Sequence, residues 1–532
     1  MQSIKQFELN FTVLKATAIV GFFTLLSRLV GLIRDRLFAS HFGAGDTLDI
    51  YYAAFRIPDL VFNLLILGTL SVAFIPIFTE LLISDKDKAY RTANSVLNFS
   101  FLLMSAVCLG LIIFARPLAH LLVPGFEGQK FNDTVILTRV LLLSPIIFTA
   151  SNIFSSILNS QKKFIIANVA PIMYNVGIIF GLLVLYPKFG LYGLGWGVIL
   201  GALLHLLVQI PEAVHFGYYW QGVLDLKDPA IKKMLKLFLP RILGVDNSQV
   251  SLLIGSVVGS VLVSGSIAVF NLANNLQAVP LGVFAISTAV AVFPLLSEFY
   301  SKRNENEFAK SLGQAISQIL FFMIPFTVLL LLFRAHIVRL AFGSGKFNWD
   351  NTILTFNTLG MFSLSLFAQG LSPLLARAFY ARQDTKTPVI ISLCTMAINA
   401  LLTYLLGKQY GAPGMAAGFS LSAIFNAIVL YFIMHHRLAK SSSQEAMDNF
   451  NKTIFDSSTK IIISSFFMGL AGYGALYMLA PYVDTHTVIG LLIQSGLAFI
   501  AASAVFYGVG KFLKLSQLDN LFGKKSPSQT LS

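Results

Sequence analysis

The chain has 532 residues, 56% of them hydrophobic and only 12% charged, with 48 Phe and 39 Gly. A soluble globular protein carries about 25% charged residues, so this composition excludes that class and describes a polytopic, all-helical membrane protein. The formal net charge of +14 would suit a nucleic-acid binder, but most Lys and Arg lie in short loops between apolar runs, where membrane orientation accounts for them, so no nucleic-acid partner is expected.

About fourteen apolar segments are long enough to span a bilayer, near 14–38, 51–82, 93–115, 134–158, 164–186, 190–213, 235–262, 266–297, 310–333, 351–380, 387–407, 412–434, 457–480 and 486–510. No cleavable signal pattern precedes the first, so it is expected to stay as a helix. It holds SRLVGLIRDR, residues 27–36. An arginine at the bilayer centre costs at least about 2.5–3.5 kcal/mol, so such residues usually face a bundle interior or a wet cavity. At 100° per residue, Thr24, Ser27, Arg28, Gly31, Arg34 and Asp35 fall on one helical face, opposite Phe, Leu, Val and Ile. Gly31 between the arginines allows a bend or a close approach. The face reads as the wall of a cationic cavity, or Arg34 and Asp35 form a structural pair stitching helices together. Arg36 lies near the edge, where it can snorkel to the interface.

The loop that follows holds Asp46 and Asp49. In the second span Arg56, Asp59 and Asn63 share a face at i, i+3 and i+7, with Pro58 loosening the backbone. The seventh begins LPRILGVDNSQ, placing Arg241 and Asp246 in or near the membrane. An acid there suggests an ion or proton site, or a partner for an arginine. The eighth, VFNLANNLQAVPLG, carries Asn271, Asn274 and Asn275 at i, i+3 and i+4. Those amides suit either sugar hydroxyls or neighbouring helices. In the eleventh, Asn399 and Thr403 lie one turn apart.

Alternate loops differ in charge. SDKDKAYR, SQKKF, DLKDPAIKKMLK, SKRNENEFAK, ARQDTKTP, the stretch HHRLAKSSSQEAMDNFNKT and the tail FGKKSPSQ form the basic set. They are expected in the cytoplasm, and both termini with them. AFIPIFTE (Ala73–Glu80) recurs as AVFPLLSE (Ala291–Glu298), an offset of 218 that also pairs Arg116 with Arg334 and Gly125 with Gly343. The expected organisation is an N-lobe over 1–218, a repeated C-lobe over 219–437, a polar linker over 438–454, two further helices over 455–512 and a tail over 513–532. Two such pseudo-symmetric lobes around a central cavity suit alternating access, and buried cations in the cavity suit a phosphate or pyrophosphate.

No GxSxG, Walker A, HExxH or DxD-type loop appears. The eight histidines are scattered; His205 reads as a buried hydrogen-bonder and His435-His436 as a loop feature. Cys108 and Cys394 lie in apolar segments and suggest neither a metal site nor a disulfide framework. No enzyme is expected.

The order SRLVGLIRD, FGAGDTLDIYYAAFRIPD, GTLSVAFIPIFTE, Pro124-Gly125-Phe126, the SGS at Ser264, PLGVF at Pro280–Phe284 and FYARQDTKTPV at Phe379–Val389 resembles the MurJ (MviN) family over about residues 1–510. The family belongs to the MOP transporter superfamily. The resemblance implies fourteen helices and the flipping of lipid II, the undecaprenyl-pyrophosphate-linked peptidoglycan precursor, to the outer face of the bacterial inner membrane. It implies that Arg28 and Arg34, with Asp35 beside the latter, engage the pyrophosphate, and that Asp49 and Arg56 match the family's first-loop acid and second-helix base. It also implies bilayer lipids and cell-wall synthesis proteins as partners. No organic cofactor is implied; a sodium ion would fall at Asp246 with Asn399 and Thr403.

The chain departs from the family where a basic pair and a Glu usually follow the second-helix motif: here stand Phe62, Asn63 and Leu67. The usual eighth-helix Arg and Glu are Asn275 and Ala278. Either Arg241 or Arg56 compensates, or the cavity takes another polyprenyl-pyrophosphate oligosaccharide, as in O-antigen or capsule export. A cationic cavity argues against drug-cation efflux. A membrane glycosyltransferase would need a large external loop bearing acids or His/Arg clusters, and a non-transporting cell-wall scaffold would tolerate alanine at Arg28 and Arg34.

Overall fold

The computed structural model describes residues 2–67, 70–229, 231–233, 236, 247–485 and 487–521. The helices are α1 (Gln2–Phe42), α2 (Asp46–Phe62), α3 (Leu70–Ser84), α4 (Lys86–Ile113), α5 (Ala115–Leu122), α6 (Gly128–Leu141), α7 (Leu143–Ser160), α8 (Phe164–Phe180), α9 (Tyr186–Phe189), α10 (Leu191–Leu207), α11 (Ile210–His215) and α12 (Asn247–Ser260). They continue with α13 (Ser266–Pro280), α14 (Ser287–Ser301), α15 (Glu305–Phe342), α16 (Trp349–Ser363), α17 (Leu366–Ala381), α18 (Lys386–Ser441), α19 (Gln444–Leu479), α20 (Val488–Phe512) and α21 (Ser516–Leu521). Among the described residues there is no strand.

Nine described helical stretches are long and apolar enough to cross a membrane, or ten if α16 and α17, bent by 45°, make one span. One of them, α18, has 56 residues, about 84 Å at 1.5 Å per residue, against a hydrocarbon core of about 30 Å. Gly411, at φ +66°, breaks it. Only glycine adopts that conformation readily, so the chain turns there between two apolar halves. The polar stretch 438–454 is helical apart from Ser442 and Ser443.

Polar caps mark where several helices start. Asp85 accepts a hydrogen bond from Lys88 N, Asn304 from Glu307 N, Asn348 from Asn351 N and Ser443 from Ala446 N. Each satisfies a backbone donor that the first helical turn leaves open.

The chain forms two compact units, Met1–Gly265 and Ser266–Ser532. One local pattern, helix, π turn and helix, recurs in each. A π-helical turn, Asn63–Leu67, separates α2 from α3, and another, Leu281–Ile286, separates α13 from α14. An offset of 218 carries Asn63–Leu67 onto 281–285 and Pro76 of α3 onto Pro294 of α14. A proline removes an i→i−4 bond, and a π turn widens the ladder by one residue. Each of these spans is therefore a helix with a built-in loose turn.

In the first unit, the extended segment after α11 is fastened along α4. Asn94 Nδ2 donates to Tyr219 O at 2.9 Å, and Asn98 Nδ2 donates to Gln221 O and Val223 O at 2.8 Å. Asn94 and Asn98 are one turn apart, so one polar edge of α4 satisfies backbone that has no ladder of its own. In the second unit, Phe308, Leu312, Ile316 and Ile319 of α15 pack with Leu374, Ala378 and Phe379 of α17 and Phe450 of α19.

The loop before α18 is held by charge. Arg437 Nη1 meets Asp384 Oδ2 at 2.5 Å, and Thr387 donates to the same carboxylate through its hydroxyl at 2.6 Å and its N–H at 3.0 Å. Partial burial raises the Asp384 carboxyl, but the Thr387 and Arg437 donors outweigh it and hold it at about 2, below its ordinary 3.8. A carboxylate depressed in the folded state adds stability above its unfolded pKa and loses it as pH falls through the folded value. Asp384→Asn is expected to lower the melting temperature at pH 7, and the gap from the parent should close as pH falls from about 4 towards 2. Scanning both proteins in detergent across that range checks it; a gap unchanged by pH would remove the ion pair as its cause.

Candidate functional site

The charged residues of the first two spans gather inside the first unit. Arg34 Nε and Nη2 donate to Asp35 Oδ1 at 3.0 and 2.8 Å. Neighbours at i and i+1 do not normally face each other on a helix; here the long arginine side chain folds back. Its Nη1 donates to Asn175 Oδ1 on α8 at 3.0 Å. The amide reaches α1 beside Gly31, where an added methyl would stand 3.9 Å from Asn175 Oδ1. Asn175 is set in turn by its own donation to Pro171 O at 3.0 Å.

Asp35 is only 6% exposed, while the Arg34 side chain keeps 24% of its surface accessible. A buried guanidinium is tolerable only when paired and hydrogen-bonded. Asp35 and Asn175 meet that need and fix the direction of the fork, leaving part of it open to a ligand.

On α2, Arg56 is buried and its Nε donates to Ser256 Oγ of α12 at 3.0 Å. Asp59 is half-buried and lies within electrostatic reach of Arg56 and Arg34. Tyr51 and Tyr52 lie within the same reach of Arg34, and Tyr174 within reach of Arg34 and Asp59. Arg34 and Arg56 thus balance Asp35 and Asp59. Arg28, exposed on α1, makes no hydrogen bond or ion pair with any described residue, so it supplies the uncommitted positive charge. Arg36 is half-buried and engaged.

Other expected residues lie elsewhere. Asp49, 1% exposed, sits in the first turn of α2. It accepts from Lys130 Nζ at 3.1 Å and from Gly265 N at 2.8 Å, while Asp46 accepts from Lys130 at 2.5 Å and from Ser264 Oγ at 2.6 Å. These bonds tie α2, α6 and the end of the first unit together. Asn63 Nδ2 donates to Asp59 O at 2.7 Å, at the start of the π turn. Arg241 and Asp246 lie outside the described residues.

The α13 amides belong to the second unit. Asn271 Nδ2 donates to Ile267 O of its own helix at 2.7 Å. Asn274 Oδ1 accepts from Gln277 at 3.0 Å, and Gln277 Oε1 accepts from Gln369 of α17 at 2.9 Å. The relay continues through Ser365 to Ser420 of α18, so Gln277, beside Asn274, links α13 to α17 and α18. Asn275 is half-buried and engaged.

Asn399 and Thr403, each 1% exposed, bond to each other at 2.8 Å. For a sodium ion the described part of that set offers two neutral oxygens, one already accepting the other's proton. Among the described residues no group of three or more His, Cys, Asp or Glu is placed to hold a metal.

Asn175, Tyr51, Tyr52, Tyr174 and Ser256 do not stand out in the sequence. The one available signal was Asn175, a lone amide in the apolar run PIMYNVGIIF.

A family model described as lipid II flippase MurJ matches residues 38–492. Among curated proteins, a lipid II flippase MurJ from Burkholderia cenocepacia is 29% identical over 435 residues, spanning 80% of this chain and 84% of its own. A probable lipid II flippase MurJ from Rhizobium tropici is 31% identical over 430 residues, spanning 79% of this chain and 80% of its own. Among solved structures, a lipid II flippase MurJ in an inward closed conformation superposes with a TM-score of 0.71 at 24% identity, covering 92% of this chain and 99% of that one. An inward-facing multidrug resistance MATE family transporter of the MOP superfamily gives 0.63 at 18% identity, covering 78% and 96%. At these identities the two structures establish a shared fold.

Proposed function

Since the chain belongs to the lipid II flippase MurJ family, we propose that it carries lipid II across the bacterial cytoplasmic membrane by alternating access, as a transporter and not an enzyme. The observation that carries the reading is the Arg34 fork, oriented by Asp35 and Asn175 yet still accessible, with Arg28 uncommitted on the same helix.

The physical task is to move a pyrophosphate and its sugars through about 30 Å of hydrocarbon. Charge in that layer is expensive unless protein groups replace the lost water. A guanidinium does this well: it stays charged and presents several donors in a plane that matches phosphate oxygens. Arg34 is held in that orientation before the ligand arrives, so little side-chain entropy is lost on binding. Arg28 provides charge that no acid among the described residues pairs with. The polyprenyl tail needs no such site, since lipid already solvates it.

Rescue of a bacterium depleted of its own lipid II flippase tests the reading. The parent chain, confirmed in the membrane, is expected to restore growth. A well-expressed parent that fails to rescue, and that also fails to move lipid II in reconstituted vesicles, would overturn it. Activity in the same vesicles with a different polyprenyl-pyrophosphate oligosaccharide would then identify another headgroup.

A further inference from the structure

Beside the Arg34 fork the first unit carries a run of aromatic rings that the charge argument does not use. Phe62, the last residue of α2, packs on Phe148 of α7 with ring centroids 5.4 Å apart and planes inclined at 47°. Phe148 meets Tyr174 of α8 edge-on at 5.0 Å and 77°. It also meets His205 of α10 at 5.2 Å and 77°. Four helices therefore contribute one continuous run of aromatic rings, and each of these four residues is only partly buried.

This surface is rigidly backed. His205 Nδ1 lies 2.6 Å from Ser151 Oγ. Gln209 Nε2 donates to Ser151 Oγ at 2.8 Å, and Ser155 Oγ donates to Gln209 Oε1 at 2.7 Å. The ring of Tyr174 rests against Gly201, where an added methyl would come within 2.9 Å of its Cδ2. The surface also adjoins the charged cluster. Tyr174 precedes Asn175, the acceptor for Arg34, and its phenol lies within electrostatic reach of Arg34 and Asp59.

We propose that Phe62, Phe148 and Tyr174 form an aromatic wall that selects the sugar rings of the lipid-linked headgroup, beside the phosphate-binding fork of Arg34; this rests on the flippase reading above. In a polyprenyl-pyrophosphate glycolipid the first sugar is bonded directly to the pyrophosphate. A phosphate on Arg34 therefore brings a pyranose ring to the neighbouring wall. One face of a pyranose presents C–H groups, which suit the electron-rich face of an aromatic ring, while its hydroxyl edge turns to polar groups. A wall of linked rings is broad and stiff, so it recognises a ring shape at little cost in side-chain entropy. The polyprenyl tail would gain nothing by leaving lipid for these rings.

The test compares two probes on the purified full chain in detergent: undecaprenyl pyrophosphate alone, and the same lipid carrying its disaccharide. The parent is expected to prefer the glycosylated probe. Phe148→Leu and Tyr174→Leu should weaken that probe by about fivefold to tenfold and leave the sugar-free lipid unchanged, while Phe148→Tyr should keep the preference. Arg34→Ala should weaken both probes. Equal weakening of both probes by the leucine variants would overturn the proposal, because lost packing or tail contact acts on both alike. So would leucine variants that bind as the parent does, or a parent that holds both probes equally. A folded parent that binds neither probe would overturn the flippase reading itself.

Discussion

Arg34→Ala abolishes rescue of a flippase-depleted host: this is the largest functional effect expected of any single substitution in the first unit. A hydrogen bond to a charged group contributes about 1.5–3 kcal/mol, so losing the fork should weaken pyrophosphate binding by about 10–100-fold. The same change takes the guanidinium from Asp35, which is 6% exposed, and a buried carboxylate losing a partner is costly to folding. Two readouts separate these effects. Arg34→Lys keeps a cation near Asp35 but has no planar fork with which to hold Asp35, Asn175 and a phosphate together. It should melt near the parent temperature, bind undecaprenyl pyrophosphate about tenfold more weakly, and rescue poorly. If Arg34→Ala reaches the membrane and rescues as well as the parent, the fork has no part in transport.

The second large effect concerns folding. Gly177 of α8 and Gly181, which opens the π turn Gly181–Leu185 that follows it, face Gly201 and Gly197 of α10, so that a methyl on Gly181 would overlap the Cα of Gly197, and the reverse holds. Gly193 lies against the Leu185 carbonyl in the same way. The spacing of four keeps one small-residue stripe on each helix, and the backbones close along it. Gly197→Val places a branched Cβ into opposing backbone, which no rotamer relieves. The cost should exceed the about 1–3 kcal/mol usual for overpacking, because the obstacle is main chain. Folded protein recovered in detergent is expected to fall to a small fraction of the parent. Gly110→Ala provides the contrast, with open space around the added methyl; there alanine should be neutral or stabilising by about 0.5–1 kcal/mol. A Gly197→Val protein as abundant and as stable as the parent would show that α8 and α10 can separate without loss. The contact also matters to the site, because α8 carries Asn175 and Tyr174 and α10 carries Gly201 behind the Tyr174 ring.

The sequence by itself determined the class of this protein, and did so through local signals. Long apolar runs can be solvated only by lipid or by one another. Charge within them needs a partner, so Arg34, Asp35, Arg56 and Asp59 could be named from spacing on a single helix. The ordered motifs from SRLVGLIRD to FYARQDTKTPV carried the family, and the model matching residues 38–492 agrees. The partners were not legible. Asn175 stands 141 residues from Arg34, and Ser256 stands 200 residues from Arg56. Helical periodicity says which face a residue occupies, and nothing about which helix that face will meet. The asparagines of the eighth span show the same limit: their spacing fitted sugar recognition or helix binding equally. In the folded chain Asn271 donates to Ile267 of its own helix, and Asn274 accepts from Gln277, which in turn bonds Gln369. The aromatic wall arose the same way, since Phe62, Phe148 and Tyr174 look like any core aromatics in sequence. Whether such a ring is filling or recognition surface depends on what stands beside it, and only close packing of distant segments sets that.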